Sequence, residues 1–294
     1  MEIKTQEISL PLLIEKEIKL FIKRTDLTHQ HVSGNKWYKL KYNLLEAKKQ
    51  GCQTLLTFGG AYSNHIAATA CAAKENGFKS IGIIRGEEYL TLNPTLQFAK
   101  EQGMRIHYES RANYRIKNTS EYINNLKSKF DDFYLVPEGG TNQLAIKGTE
   151  EILDINSTQD FVCCAVGTGG TIAGIINSTN SKQTVIGFPA IKGFDLLQKD
   201  IENWTNKQNW KLINDYVCDG YAKITENLIL FINDFYKTQN IPLDAVYTGK
   251  MMQGILDLVA KDYFPKGSTI LAIHTGGLQG NKGMSERLMI KLPS

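Results

Sequence analysis

Four apolar, β-prone runs in this chain each lead into a glycine-rich turn carrying polar residues. Residues 54–58 lead to Gly59-Gly60-Ala61-Tyr62-Ser63-Asn64, and residues 133–136 to Gly139-Gly140-Thr141-Asn142. Residues 161–166 lead to Gly167-Thr168-Gly169-Gly170-Thr171, and residues 269–274 to Thr275-Gly276-Gly277. Segments of helical period follow the first three turns. Strands alternating with helices of this length specify an α/β protein with mainly parallel sheets. The runs lack polar alternation, as strands covered on both faces require. In open parallel sheets ligands sit outside the carboxyl ends of the strands, so the four turns are expected to converge on one crevice.

The rest of the chain follows the same alternation. A helix is expected over residues 36–50, with Leu40, Leu44, Leu45 and Ala47 on one face and Gly51 closing it. Further strands are expected at 80–85, 104–108 and 185–188, and helices at 94–102, 120–129, 224–236 and 251–260. Residues 7–24 read as short extended pieces around Pro11, and residues 25–35 as a polar loop. No repeat, low-complexity tract or Pro/Gly/Ser linker divides the chain, so two domains would have to share chain crossings.

Composition limits the function classes. At 294 residues the chain is long enough for a substantial core without covalent staples. Its 34 Lys and Arg against 30 Asp and Glu give a net charge of only +4, without the basic stripe of a nucleic-acid binder. The five cysteines match no disulfide or zinc spacing, which suggests reduced thiols and a cytoplasmic protein. No apolar run approaches the ~18 residues of a membrane span, and no secretory leader is recognisable.

Paired glycines let backbone N–H groups approach a ligand closely. A helix opening at the 167–171 turn adds its dipole, so this turn is a candidate phosphate cradle. The dinucleotide fingerprint fails because Ile172 stands where a third glycine is needed. The Walker pattern fails because Met251 follows Gly249-Lys250. A small phosphate ester remains. Lys36 opens a helix directly after a loop, with Lys39 on the same face. A lysine meant for Schiff-base chemistry must shed its proton near neutral pH, and burial beside another cation favours that. Taken alone, Lys36 reads as an ordinary surface lysine rather than a Schiff-base residue. His29 and His31 read as loop residues rather than a metal pair, and His65 and His274 as turn residues.

The segment Ser33-Gly34-Asn35-Lys36-Trp37-Tyr38-Lys39-Leu40 resembles the Gly-Asn-Lys-x-x-Lys-Leu block of the pyridoxal-phosphate enzymes of the 1-aminocyclopropane-1-carboxylate (ACC) deaminase and D-cysteine desulfhydrase family. The resemblance continues in order through Ser63-Asn64-His65, the 139–142 and 167–171 turns, Asp219-Gly220-Tyr221, residues 243–250 and residues 273–277, nearly the whole chain. Two positions depart from the pattern: Tyr38 stands where the family has Arg, and Ser33 where a second Gly is common. The outer loops around residues 87–113 are also short.

The resemblance implies pyridoxal 5'-phosphate as cofactor and assigns roles residue by residue. Lys36 would carry the cofactor as a Schiff base and shuttle protons. Lys39 would support the phosphate, with Gly167, Thr168, Gly169, Gly170 and Thr171 around it. Asn64 would bond the ring hydroxyl and Thr248 would meet the pyridine nitrogen. Ser63 would touch the substrate carboxylate or the leaving atoms, and Tyr221 and Tyr247 would line the substrate face.

The implied architecture is the two-domain fold similar to the tryptophan synthase β chain. Residues 1–39 plus 143–294 would form the larger domain and residues 40–142 the smaller inserted one. A homodimer acting on a small amino acid is implied, with no metal, nucleic acid or membrane partner. The expected activity is D-cysteine desulfhydrase-like β-elimination to pyruvate, ammonia and sulfide. The alternative is ACC deamination to 2-oxobutyrate; family members that do this have Glu where this chain has Thr248, a neutral hydroxyl. An inactive binding protein on this fold is the lesser alternative, opposed by the retained Lys36 and phosphate loop.

Overall fold

The computed structural model describes residues 3–88, 91–191, 193–218, 220 and 222–293. Ten strands form two sheets: β1 (Thr5–Ile8), β2 (Lys19–Lys23), β3 (Thr54–Gly59), β4 (Lys79–Arg85), β5 (Met104–Glu109), β6 (Tyr134–Val136), β7 (Phe161–Val166), β8 (Thr184–Pro189), β9 (Trp210–Leu212) and β10 (Thr269–Ile273). One sheet runs β1-β2-β10-β7-β8-β9, and the other β5-β4-β3-β6. All neighbours pair in parallel except β1 with β2. The chain is an α/β protein of the expected class, with helices flanking parallel-rich sheets.

Strand β7 shows why these runs are apolar throughout. Cys163 and Ala165 join one core with Ile186, Phe188, Ile255 and Ala272. Val162, Cys164 and Val166 point to the other face and join Ile172, Ile175 and Ile273. A strand buried on both sides has no face left for polar residues, and each fully buried aliphatic side chain contributes roughly 1.5–3 kcal/mol. All five cysteines are free thiols. Among the described residues no helix is long and apolar enough to cross a membrane.

Three local expectations are corrected. Pro11 does not sit in an extended piece; it opens the single-turn helix Pro11–Glu15, where its fixed φ and missing N–H suit the first helical position. The helix Asn35–Lys49 buries Tyr38, Lys39, Leu40, Asn43 and Ala47, whereas Leu45 is exposed. The i+4 series 39, 43 and 47 thus puts a cation and an amide on the inner face. The helix Phe194–Glu202 and the edge strand β9 were not among the expected elements.

Candidate active site

Expected site residues from both sheets meet at one cavity of about 360 Å³, within the range of small-molecule sites. It lies beyond the carboxyl ends of β3, β7 and β10, where the 167–169 turn faces Lys36, Lys39, Ser63, Asn64 and Tyr247. Parts of all four glycine-rich turns line it.

The loop before Lys36 is fixed by close backbone contact. Gly34 adopts φ +64°, and a Cβ there would lie 2.1 Å from the Thr275 carbonyl oxygen. Only glycine fits such an approach. The N–H of Asn35 donates to that same carbonyl at 3.2 Å, and the N–H of Gly34 donates to Thr25 at 2.9 Å. The Thr25 hydroxyl in turn donates to the His274 carbonyl at 2.5 Å. The lysine loop is thereby bolted to the turn that follows β10.

Lys36 faces the cavity, and burial pulls its pKa down to about 8. Lys39, 2% exposed, donates to the Gly139 carbonyl at 3.0 Å, the Thr141 hydroxyl at 2.9 Å and the Thr168 hydroxyl at 3.4 Å. Burial first, and the Lys36 charge second, push its pKa well below the ordinary lysine value. Neither ammonium has a carboxylate partner among the described residues. His65, buried beside them, is also held well below its ordinary pKa, by burial and then by Lys36 and Lys39. It stays neutral, with its Nε2 2.7 Å from the Thr57 hydroxyl.

The cradle stands on β7. Gly169 takes the left-handed conformation at the N-cap of the helix Gly170–Ser178, and the first backbone N–H groups of that helix have no partner within it. A Cβ on Gly170 would lie 2.7 Å from the Thr141 methyl, so the two glycine-rich turns touch. Asn35 donates to the Thr171 hydroxyl at 2.8 Å, linking lysine loop and cradle. A helix N-terminus, threonine hydroxyls and two ammoniums without counter-charge fit a phosphate dianion.

Ser63 caps the helix Asn64–Glu75, its hydroxyl accepting from the Ile66 N–H at 3.4 Å. Gln279 donates to the Asn64 side-chain oxygen, which leaves the Asn64 amide N–H groups for the cavity. The Tyr247 ring packs on Gly167; a Cβ there would lie 3.3 Å from the ring.

Thr248 is the correction. It does not line the cavity, and it is fully buried. Its hydroxyl accepts from the Asp244 N–H at 2.8 Å and donates to the Asp244 carboxylate at 2.7 Å. The local turn thus occupies the group expected at the pyridine nitrogen. Tyr221 and Asp219 lie outside the described residues.

Sequence reasoning gave no role to several residues that build the site. Asn35, Thr141, Thr275 and Gln279 are polar groups in or beside turns, which composition cannot tell from solvated loop residues. Asn35, Thr141 and Thr275 lie within motifs already singled out, and that membership was the available signal. Thr275 lines the cavity, and its hydroxyl makes no hydrogen bond among the described residues.

The profile of the family described as pyridoxal-phosphate dependent enzymes matches residues 2–276. A Pyrococcus abyssi protein named "Putative 1-aminocyclopropane-1-carboxylate deaminase" is 32% identical over 287 residues, covering 90% of this chain and 86% of its own. The Arabidopsis thaliana mitochondrial bifunctional D-cysteine desulfhydrase/1-aminocyclopropane-1-carboxylate deaminase is 32% identical over 296 residues, covering 89% and 73%. The crystal structure of an ACC deaminase homologue superposes with a TM-score of 0.83 at 29% identity, covering 98% of this chain and 93% of its own. The chain therefore belongs to the pyridoxal-phosphate dependent enzyme family. Within it, its relatives carry the names ACC deaminase and D-cysteine desulfhydrase.

Proposed function

We propose that this protein is a D-cysteine desulfhydrase-like lyase that eliminates the β-substituent of a small amino acid. D-cysteine and water would give pyruvate, ammonia and sulfide. The observation that carries the reading is the absence of an available carboxylate on the cavity wall. Among its described lining residues the only acid is Glu138, which accepts from the Tyr114 hydroxyl at 2.8 Å and pairs with Lys117 at 3.1 Å.

Pyridoxal phosphate, when bound, supplies the electron-accepting ring that stabilises negative charge at the substrate α-carbon. A carboxylate beside a pyridine nitrogen would hold it protonated, because an opposite charge favours the charged form. With the one described acid of this wall already engaged, no such carboxylate is on offer, and the ring would be a weaker electron sink. Elimination tolerates this, since thiolate leaves readily. Opening the ACC ring has no such outlet.

The chain's own residues then divide the work. Lys36 Nζ holds the cofactor and, once released, takes the proton from the substrate α-carbon; its lowered pKa makes the neutral amine accessible near pH 8. Lys39 and residues 167–171 hold the phosphate, and Asn64 orients the ring through its amide. Ser63 receives the substrate carboxylate, while Tyr247 faces the substrate.

The relatives' names favour a second reading, ACC deamination. A screen of the loaded enzyme for pyruvate and 2-oxobutyrate release, over D- and L-amino acids and ACC, separates the two. Pyruvate from a β-substituted amino acid, with little 2-oxobutyrate from ACC, is expected. Faster turnover of ACC than of every β-substituted amino acid would overturn the elimination reading.

A further inference from the structure

A second cavity of about 860 Å³ adjoins the first and shares Gly60, Asn64, Arg85, Tyr247 and Gly277 with it. Its charge is unbalanced. Arg85, Arg111, Lys223 and Arg287 all line it, and among the described residues none forms an ion pair. Of the carboxylates lining it, Asp244 is 2% exposed and accepts from the N–H groups of Val246, Tyr247 and Thr248 as well as the Thr248 hydroxyl. That leaves Glu87 as the other described acid on this wall. Elsewhere on the surface lysines find acids: Lys16 with Asp262, Lys41 with Glu151, Lys261 with Asp257 and Lys266 with Glu17.

Arg85 stands at the junction. It ends β4, the strand beside β3, so it projects from the same carboxyl edge of the sheet as the loop to Ser63. Its guanidinium lies over the Tyr114 ring, 5.7 Å from the ring centre. Its Nη2 lies 3.9 Å from where a Cβ of Gly60 would sit. The absent side chain at Gly60 leaves the guanidinium beside the backbone leading to Ser63. A guanidinium recognises carboxylate, sulfonate and phosphate alike, by parallel N–H donors in a planar fork.

We propose that this outer cavity selects amino acids carrying a second negative charge on the side chain. The head group sits between Lys36 and Ser63, and the distal anion lies against Arg85. Arg111, Lys223 and Arg287 add a positive field at the mouth. The inference rests on the amino-acid lyase reading and names its substrate class.

The test uses the enzyme loaded with pyridoxal phosphate and follows cofactor absorbance. O-phosphoserine and serine are titrated as one acidic and neutral pair, and aspartate and asparagine as another, in both stereochemical series. In one series at least, the acidic member is expected to bind tenfold or more tightly than its neutral partner, with a preference that falls as salt rises. Arg85→Gln should cut that acidic-to-neutral ratio by tenfold or more, and Arg85→Lys should restore part of it. Arg111→Gln should reduce it less. The larger gain in either pair tells phosphate from carboxylate. A ratio near one in the native enzyme, or one that Arg85→Gln leaves unchanged, overturns the proposal while the lyase reading stands. If no amino acid perturbs the cofactor or releases a 2-oxo acid, the lyase reading fails and this proposal falls with it.

Discussion

The two adjoining cavities carry positive charge in different ways. In the inner one each cation is built in: Lys39 is buried and bonded to one carbonyl and two hydroxyls, and Lys36 sits on a loop bolted to the turn after β10. In the outer one the cations form no ion pair among the described residues: Arg85 ends a strand, Arg111 and Arg287 stand on helices, and Lys223 lies in a loop. Fixed, desolvated donors suit an anion of constant shape, and the phosphate of a cofactor is one. Exposed cations retain rotamer freedom and their hydration, so they suit an anion that changes from ligand to ligand. Preorganisation is thus concentrated in the cavity proposed for the cofactor.

Breaking the inner side should have the largest effects. Lys36→Ala should abolish the visible Schiff-base absorbance and lower turnover by a factor on the order of 10³ or more, without unfolding the chain. Borohydride trapping followed by peptide mapping checks the site; label on another lysine would reassign it. Gly34→Ala drives a methyl into the Thr275 carbonyl at a positive φ, and should cost on the order of 3 kcal/mol in thermal or denaturant unfolding. Lys39→Met should weaken cofactor binding by about 1.5–3 kcal/mol, roughly 10- to 150-fold. The ligand-free protein should keep its stability or gain some, because a buried ammonium without a counter-charge is removed. Equal losses of both would show that Lys39 is a structural residue rather than a phosphate ligand.

Thr248→Val should destabilise the fold by about 1–3 kcal/mol through the bonds lost to Asp244, and leave the cofactor spectrum unchanged. Thr275→Val makes the converse control. Its hydroxyl has no described partner, so the spectrum should move more than the stability. The smallest effect is on pH dependence. Neutral Lys36 amine is the species that captures the cofactor, and its fraction rises with pH until it passes the pKa of about 8. Stopped-flow loading of the ligand-free protein should therefore quicken about fivefold between pH 7 and pH 8 and level off above pH 9, by ordinary one-site titration. A midpoint near 10.5 would mean that Lys36 is as solvated as a free lysine.

How much of this was legible before the structure depends on the scale of the signal. The strands β3, β7 and β10 end within a residue of their expected limits, because an unbroken apolar run bounded by glycine has few other foldings. The 167–171 cradle was legible for the same reason. Lys36 was not legible from composition; it emerged only when its neighbours matched a family block. Thr248 was misread because its partner, Asp244, lies one helical turn earlier, and a side chain closing its own local turn leaves no periodic trace. Leu45 was misread because the inner face of this helix carries Lys39 and Asn43, so the apolar residues alone misplace the buried stripe. Arg85 escaped notice because a cation ending a strand looks like solvated surface until the charges around it can be counted.

The bolt between the lysine loop and the turn after β10 also sets an order of events during synthesis. Strand β10 inserts between β2 and β7, so the middle of the larger sheet is filled by the last of its described strands in chain order. Until it docks, the Asn35 N–H lacks the Thr275 carbonyl, and β2 and β7 lack the strand that joins them. Lys36 and Gly167, 131 positions apart, are then tied by the Asn35–Thr171 bond without the anchor that Thr275 supplies. Cofactor capture is consequently expected only after β10 has been made. A nascent chain stalled before residue 269 would carry Lys36 and the 167–171 turn, yet is expected to remain blind to pyridoxal phosphate.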